Sequence, residues 1–171
     1  SYTVPSDVGE VIVVNSGDIT IKSINVSWAD VGVEIAYSYS ISIVCMISNT
    51  WWQGIYCWKS SSISVINCTI SSNKWAGIYC RESSNINIIG CTISNTWWQG
   101  IYCWKSSSIS IIGCTISNNQ GYGIYCYRSS NIMIHYCDIY SNWSYGLYNY
   151  GEYVVNATYC WWGSPDGPEY K

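Results

Sequence analysis

Cysteine recurs every 23 residues, at Cys45, Cys68, Cys91, Cys114, Cys137 and Cys160. A second series, Cys57, Cys80, Cys103 and Cys126, keeps the same spacing. Gly54, Gly77, Gly100, Gly123 and Gly146 follow it too, each succeeded by Ile or Leu and then by Tyr56, Tyr79, Tyr102, Tyr125 or Tyr148. No insertion or deletion interrupts the series, and residues 48–64 recur unchanged at 94–110. A fixed period of this length means an array of like units, each burying its apolar face only against its neighbours.

Within one unit the β-forming runs are Gly54–Trp58, Ile63–Ile66 and Cys68–Ser71. Strand alternation puts Ile55 and Cys57 inside with Tyr56 and Trp58 outside, and Ile63 and Val65 inside with Ser64 outside. The parity slips between Val65 and Cys68, where the chain must turn; Ser60–Ser62 and Ser71–Asn73 supply the other two corners. Three strands and three corners per 23 residues predict one rung of a parallel β-helix. The period-2 pattern excludes a helical solenoid, and a propeller blade needs roughly 40–45 residues. The expected fold is all-β, a single solenoid domain over 1–171: irregular rungs over 1–44, regular repeats over 45–148, and a terminal rung and cap over 149–171. In the irregular part, Glu34 and Ile35 stand where a Cys is due. About seven rungs predict a rod roughly 30–35 Å long.

Only 10% of residues are charged, against roughly 25% in an ordinary protein. Seven Lys and Arg against ten Asp and Glu cannot neutralise a run of phosphates, which excludes a basic nucleic-acid binder. No apolar stretch reaches the ~20 residues of a membrane-spanning helix. The chain opens at Ser1, as a processed chain or a fragment would. An even count of 10 cysteines and the Asn-x-Ser/Thr sequons at Asn25, Asn67, Asn142 and Asn156 predict an extracellular, cell-surface protein with its leader removed.

The unit Gly-Ile-Tyr-x-x-x-Ser-Ser-x-x-Ile-x-Ile, closing on Thr-Ile-Ser-Asn-Asn, resembles the repeats of right-handed β-helix proteins of the NosD-like and carbohydrate-binding, sugar-hydrolysing type. The segment Asn156–Pro168 is similar to a terminal motif of archaeal surface proteins of this kind. The resemblance implies a right-handed coil over roughly 31–168. It also implies Asn where the first cysteine series stands and an aliphatic residue where the second stands. Sulfur has therefore replaced an amide ladder and part of the aliphatic core.

Stacked rungs hold equivalent cysteines about 4.8 Å apart, inside the roughly 4.4–6.8 Å Cα range of a disulfide. Pairing along each column, pairing across a turn (Cys57 with Cys68), reduced packing and soft-metal binding all stay open. No Cys-x-x-Cys or Cys/His cluster predicts zinc, so no metal or cofactor is expected.

The outward columns are aromatic. Trp51, Lys74, Trp97, Gln120 and Trp143 share one, and Trp52, Trp75 and Trp98 the next. Trp58, Arg81, Trp104 and Tyr127 make a third, with Arg81 between two indoles. Lys59, Glu82, Lys105 and Arg128 form a charged column in which Glu82 faces cations above and below. The repeats carry almost no paired carboxylates, and the lone His135 sits at a corner. The expectation is accordingly a non-enzymatic, self-assembling sheath, surface-layer or filament subunit whose partner is itself. The rival reading is a carbohydrate-binding module with Trp51, Trp52, Trp58, Trp97, Trp98 and Trp104 as sugar platforms. A third, from the NosD resemblance, is copper handling through soft thiolates.

Overall fold

Alternating inward aliphatic and outward polar residues produce three parallel walls of strands, with no helix among the described residues. The computed structural model describes residues 9–163; Pro5 and the Pro165–Pro168 segment, expected to cap the ends, lie outside them. The first wall stacks β1 (Val11–Val14), β3 (Val33–Ala36), β5 (Ile55–Trp58), β8 (Ile78–Arg81), β11 (Ile101–Trp104), β14 (Ile124–Tyr127) and β17 (Leu147–Tyr150). The second holds β6 (Ser61–Ile66), β9 (Ser84–Ile89), β12 (Ser107–Ile112), β15 (Ser130–His135) and β18 (Val155–Thr158). The third holds β7 (Thr69–Ser71), β10 (Thr92–Ser94), β13 (Thr115–Ser117) and β16 (Asp138–Tyr140). Two longer strands, β2 (Gly17–Ser27) and β4 (Tyr39–Ser48), pair with each other, and β4 joins β6 with its first half and β7 with its second. Seven stacked strands in the first wall make about six full turns.

Register is strict, with Ile55, Ile78, Ile101 and Ile124 paired in one column and Cys57, Cys80, Cys103 and Cys126 in another. These side chains, with Ile63, Ile86, Ile109 and Ile132 from the second wall, form a continuous buried core. The irregular rungs are shorter than the 23-residue period implies. Val11 pairs with Val33 and Val33 with Ile55, steps of 22 residues. Ile35 therefore occupies the Cys57 column, and Glu34 faces outward above Tyr56. The residue missing from β4 is a corner: Val44 runs directly into Cys45, whereas Asn67 separates Ile66 from Cys68. Without it β4 continues unbroken for 10 residues.

Each regular corner holds a residue in left-handed backbone followed by an inward polar side chain, and the Ser corner adds a second left-handed residue at Ser62, Asn85, Ser108 and Asn131 (φ 52° to 56°). Lys59, Glu82, Lys105 and Arg128 (φ 46° to 50°) precede Ser60, Ser83, Ser106 and Ser129. Asn67, Gly90, Gly113 and Tyr136 (φ 50° to 61°) precede Cys68, Cys91, Cys114 and Cys137. Ser72, Asn95, Asn118 and Ser141 (φ 52° to 57°) precede Asn73, Thr96, Asn119 and Asn142. A non-glycine residue in this region costs about 1–2 kcal/mol, and the inward ladders offset it. Ser83 Oγ accepts the Ser60 N–H at 3.1 Å and lies 3.0 Å and 3.2 Å from the carbonyls of Arg81 and Cys57, to which it donates. Cys114 Sγ repeats that geometry in sulfur: it accepts the Cys91 N–H at 3.4 Å and faces the carbonyls of Ile112 (3.4 Å) and Ile88 (3.5 Å). At the third corner Asn119 Oδ1 accepts the N–H (3.1 Å) and hydroxyl (2.8 Å) of Thr96.

All ten cysteines, Cys45 to Cys160, are free thiols here, and all but Cys160 are buried. In-register parallel strands aim neighbouring Cβ atoms the same way, about 4.8 Å apart, beyond the roughly 3.5–4.5 Å that a disulfide spans. Cys45 and Cys68 accordingly meet as thiols, Sγ to Sγ 3.8 Å. Hydrogen bonding to Cys80, then burial, hold the Cys57 thiol well above its ordinary range, and Cys126, Cys80 and burial do the same for Cys103. Held protonated, Cys57 and Cys103 act as small core residues.

A direct test follows from the sulfur ladder. Cys114→Ser keeps an acceptor for the buried Cys91 N–H and should unfold in denaturant close to the parent. Cys114→Val orphans that N–H and should lose about 1–3 kcal/mol. Equal midpoints for the two variants would refute the ladder's role.

Candidate functional site

The outward residues of the first wall alternate with its core residues, so strict register turns each into a column. Tyr56, Tyr79, Tyr102, Tyr125 and Tyr148 stack with ring centroids 5.2, 4.8, 4.9 and 5.4 Å apart. The first three pairs lie within 14° of parallel, so the rings cover one another's faces and turn their edges outward. Burial, then neighbouring Tyr125, push the Tyr102 hydroxyl up to about 12. Tyr79 is raised as well, by burial first and Tyr102 second. The ladder therefore presents neutral hydroxyl groups at ordinary pH.

One column over, Trp58, Arg81, Trp104 and Tyr127 are paired as the sequence predicts. The Arg81 guanidinium lies 5.8 Å from the Trp58 ring and 5.0 Å from that of Trp104. Lys105 adds a cation 4.4 Å from Trp104. Trp58 and Trp104 are half-buried beside these cations, less open than the indoles at the corner. Glu82 pairs with Lys59 (3.9 Å) and Arg81 (3.6 Å); Lys105 turns to its indole instead. Exposed pairs of this kind contribute at most about 1 kcal/mol.

The open indoles stand at the corner that leads into this wall. Trp51, Trp52, Trp97, Trp98 and Trp143 are 52%, 57%, 58%, 49% and 81% exposed. Trp75 is instead tucked in, its ring 5.1 Å from Tyr79 and edge-on to it, and 6.1 Å from Trp98. Trp75 thus joins the corner to the tyrosine ladder, giving one continuous aromatic surface. Polar side chains beneath it fix the corner: Thr50 donates its N–H (3.1 Å) and hydroxyl (2.8 Å) to Asn73, as Thr96 does to Asn119.

Sequence reasoning found every indole of this surface but missed the tyrosine ladder as a site. Its signal was present: an outward Tyr at one position in five successive units. The sequons divide. Asn25, Asn67 and Asn156 are exposed, whereas Asn142 is committed to the corner ladder, accepting from Asn119 and donating to the Ile116 carbonyl at 3.0 Å. An open cleft of about 480 Å³ lies beside Arg128, Tyr150, Gly151, Glu152 and Tyr153. Among the described residues no three His, Cys, Asp or Glu side chains gather to hold a metal ion.

A coil of parallel strands with inward ladders at its corners defines the β-solenoid class. Residues 10–158 match the family described as "Right handed beta helix region", and the chain belongs to that family. Among curated proteins no sequence matches. The mannuronan C-5 epimerase AlgE6 A-module of Azotobacter vinelandii superposes with a TM-score of 0.66 at 12% identity, over 78% of this chain and 45% of that one. The periplasmic alginate epimerase AlgG gives 0.57 at 19% identity, over 81% and 42%. The enzymatically active domain of bacteriophage CBA120 tailspike protein 2 gives 0.67 at 18% identity, over 78% and 23%. The chain spans less than half the length of each, and at these identities the likeness is one of fold. Two expectations are corrected by it. A sheath, surface-layer or filament subunit is not what shares this fold here, and neither is a set of non-enzymes: the neighbours are enzymes, two of them epimerases. A shortage of paired carboxylates in the repeats was too narrow a basis for excluding catalysis.

The ladder's raised hydroxyl pKa values carry a sign. Tyr79 and Tyr102 hold their protons above the unfolded value of about 10, so the folded state binds more protons and stability falls as pH rises through that range. Tyr56 and Tyr125 are raised too, chiefly by burial, so ultraviolet titration should show four ladder phenols ionising later than the exposed tyrosines, with denaturant midpoints declining between about pH 10 and 12. A flat midpoint across that window would contradict the assignment.

Proposed function

We propose that this β-helix binds a polysaccharide laid along its axis, over the corner indoles and the adjoining tyrosine edges. The observation that carries the reading is the spacing of open indoles: Trp52 and Trp98 stand two rungs apart in one column, as do Trp51 and Trp97 in the next. Two rungs are about 9.6 Å, so the surface repeats as a polymer does. Sugar rings carry an apolar face bordered by hydroxyls. Indole faces suit the former, and the ladder's neutral phenol groups, with nearby serines and amides, suit the latter. Arg81, Lys59 and Glu82 add charged partners within reach of the same wall.

This reading takes up the carbohydrate-binding side of the resemblance to proteins of the carbohydrate-binding, sugar-hydrolysing type. We infer an extracellular location with it, supported by the exposure of the sequons at Asn25, Asn67 and Asn156.

The test is a polysaccharide array followed by calorimetry on the best ligand. Replacing both Trp52 and Trp98 by Ala should weaken binding about tenfold or more. Tyr159→Ala, an exposed aromatic at a different corner, should leave it unchanged. NMR of the recovered polysaccharide reads any chemical change to it. Absence of binding across the array, or equal losses in both variants, would overturn the proposal.

A further inference from the structure

The corner column Trp51, Lys74, Trp97, Gln120, Trp143 twice places a polar residue between two tryptophans. Backbone N–H groups of all five donate to the rung beneath in one continuous series, at 2.8–2.9 Å, so the column is in register throughout. In its first half Lys74 lies between two indoles, its ammonium 3.2 Å from the Trp51 ring centre and 5.6 Å from that of Trp97. In its second half Trp97 and Trp143 are again two rungs apart, but the residue between them is Gln120, which is exposed and uncharged. The first slot is filled by the protein's own cation. The second is flanked by Trp97 and Trp143, with the neutral Gln120 between them.

We infer that the Trp97–Trp143 slot binds an organic ammonium group, the chemistry that Lys74 supplies between Trp51 and Trp97. Two ring faces attract one cation through their quadrupoles, and the net charge of −3 does not oppose its approach. An ammonium reaches such a slot either as a small free cation or as the amine of an amino-sugar unit in a bound glycan. The second source rests on the polysaccharide reading; the slot itself does not.

Three probes separate these cases: tetramethylammonium, a glucosamine trisaccharide, and the same trisaccharide N-acetylated, which removes the charge. Binding is followed by the indole N–H signals of Trp97 and Trp143 in NMR. Tetramethylammonium should shift both, saturating with one site per chain. The glucosamine trisaccharide should bind roughly five- to thirty-fold more tightly than its acetylated form. Gln120→Lys should abolish both responses by filling the slot from within, and Trp143→Ala should abolish them by removing a wall. Lys74→Gln should open the first slot and raise the stoichiometry to two.

Shifts from tetramethylammonium without a preference for the amine sugar would keep the slot and overturn the amino-sugar source. No shift from either cation, or a Gln120→Lys protein that binds as the parent does, would overturn the slot. Failure of the neutral polysaccharide array, with tetramethylammonium still bound, would count against the glycan reading alone.

Discussion

Everything in this structure depends on how a chain turns a corner while staying in register with the coil below. A bend made through left-handed backbone leaves backbone groups pointing into the interior, where an unsatisfied one costs about 1–3 kcal/mol. Three side-chain ladders meet that demand, one of Ser, one of Cys and one of Thr and Asn. Ser60, Ser83, Ser106, Ser129, Cys68, Cys114, Cys137, Asn73, Asn119 and Asn142 each accept an N–H from the adjacent rung, and most of them also reach a carbonyl. The same hydrogen bonds that close one coil fix the position of the next. Chemistry is therefore repeated at a corner because geometry is repeated there.

The cysteine ladder shows how far identity can drift while the role stays put. Sulfur is a weaker acceptor and a weaker donor than oxygen, yet the thiol column makes the contacts of the serine column with distances longer by a few tenths of an ångström. Its larger radius also fills core space that a hydroxyl leaves. The second cysteine series does something different: Cys57, Cys80, Cys103 and Cys126 lie fully inside the first wall and replace aliphatic bulk. Two evenly spaced series of one residue type thus serve two unrelated needs.

That distinction bounds what the sequence could tell. Period and parity were legible because inward Ile and outward Tyr alternate without error from Ile55 onward. Corner positions were legible from Ser60 and Ser72, although their left-handed backbone was not. The one-residue contraction before Cys45 was hidden, since a missing corner residue leaves no positive mark in the chain; it shifted Glu34 and Ile35 by one column. Cα spacing alone leaves disulfide pairing along a column open, whereas the Cβ spacing that disfavours it is a property of the parallel ladder. Outward parity also does not reveal that Trp58 and Trp104 are half-buried, with Arg81 and Lys105 beside them.

The duplication of residues 48–64 at 94–110 has a physical consequence beyond the fold. A single-rung repeat would place like side chains about 4.8 Å apart, close enough for indoles to cover one another as the tyrosines do. A two-rung repeat interleaves Trp51 and Trp97 with Lys74, and Trp52 and Trp98 with a Trp75 that folds onto Tyr79. Alternation keeps the outer indoles about half exposed instead of self-stacked. The tyrosine wall, repeated every rung, closes on itself and stiffens the rod. The corner, repeated every second rung, stays open. Surface available to a ligand is thus set by the longer period written over the shorter one, and a ligand that matches it must itself be periodic along the axis.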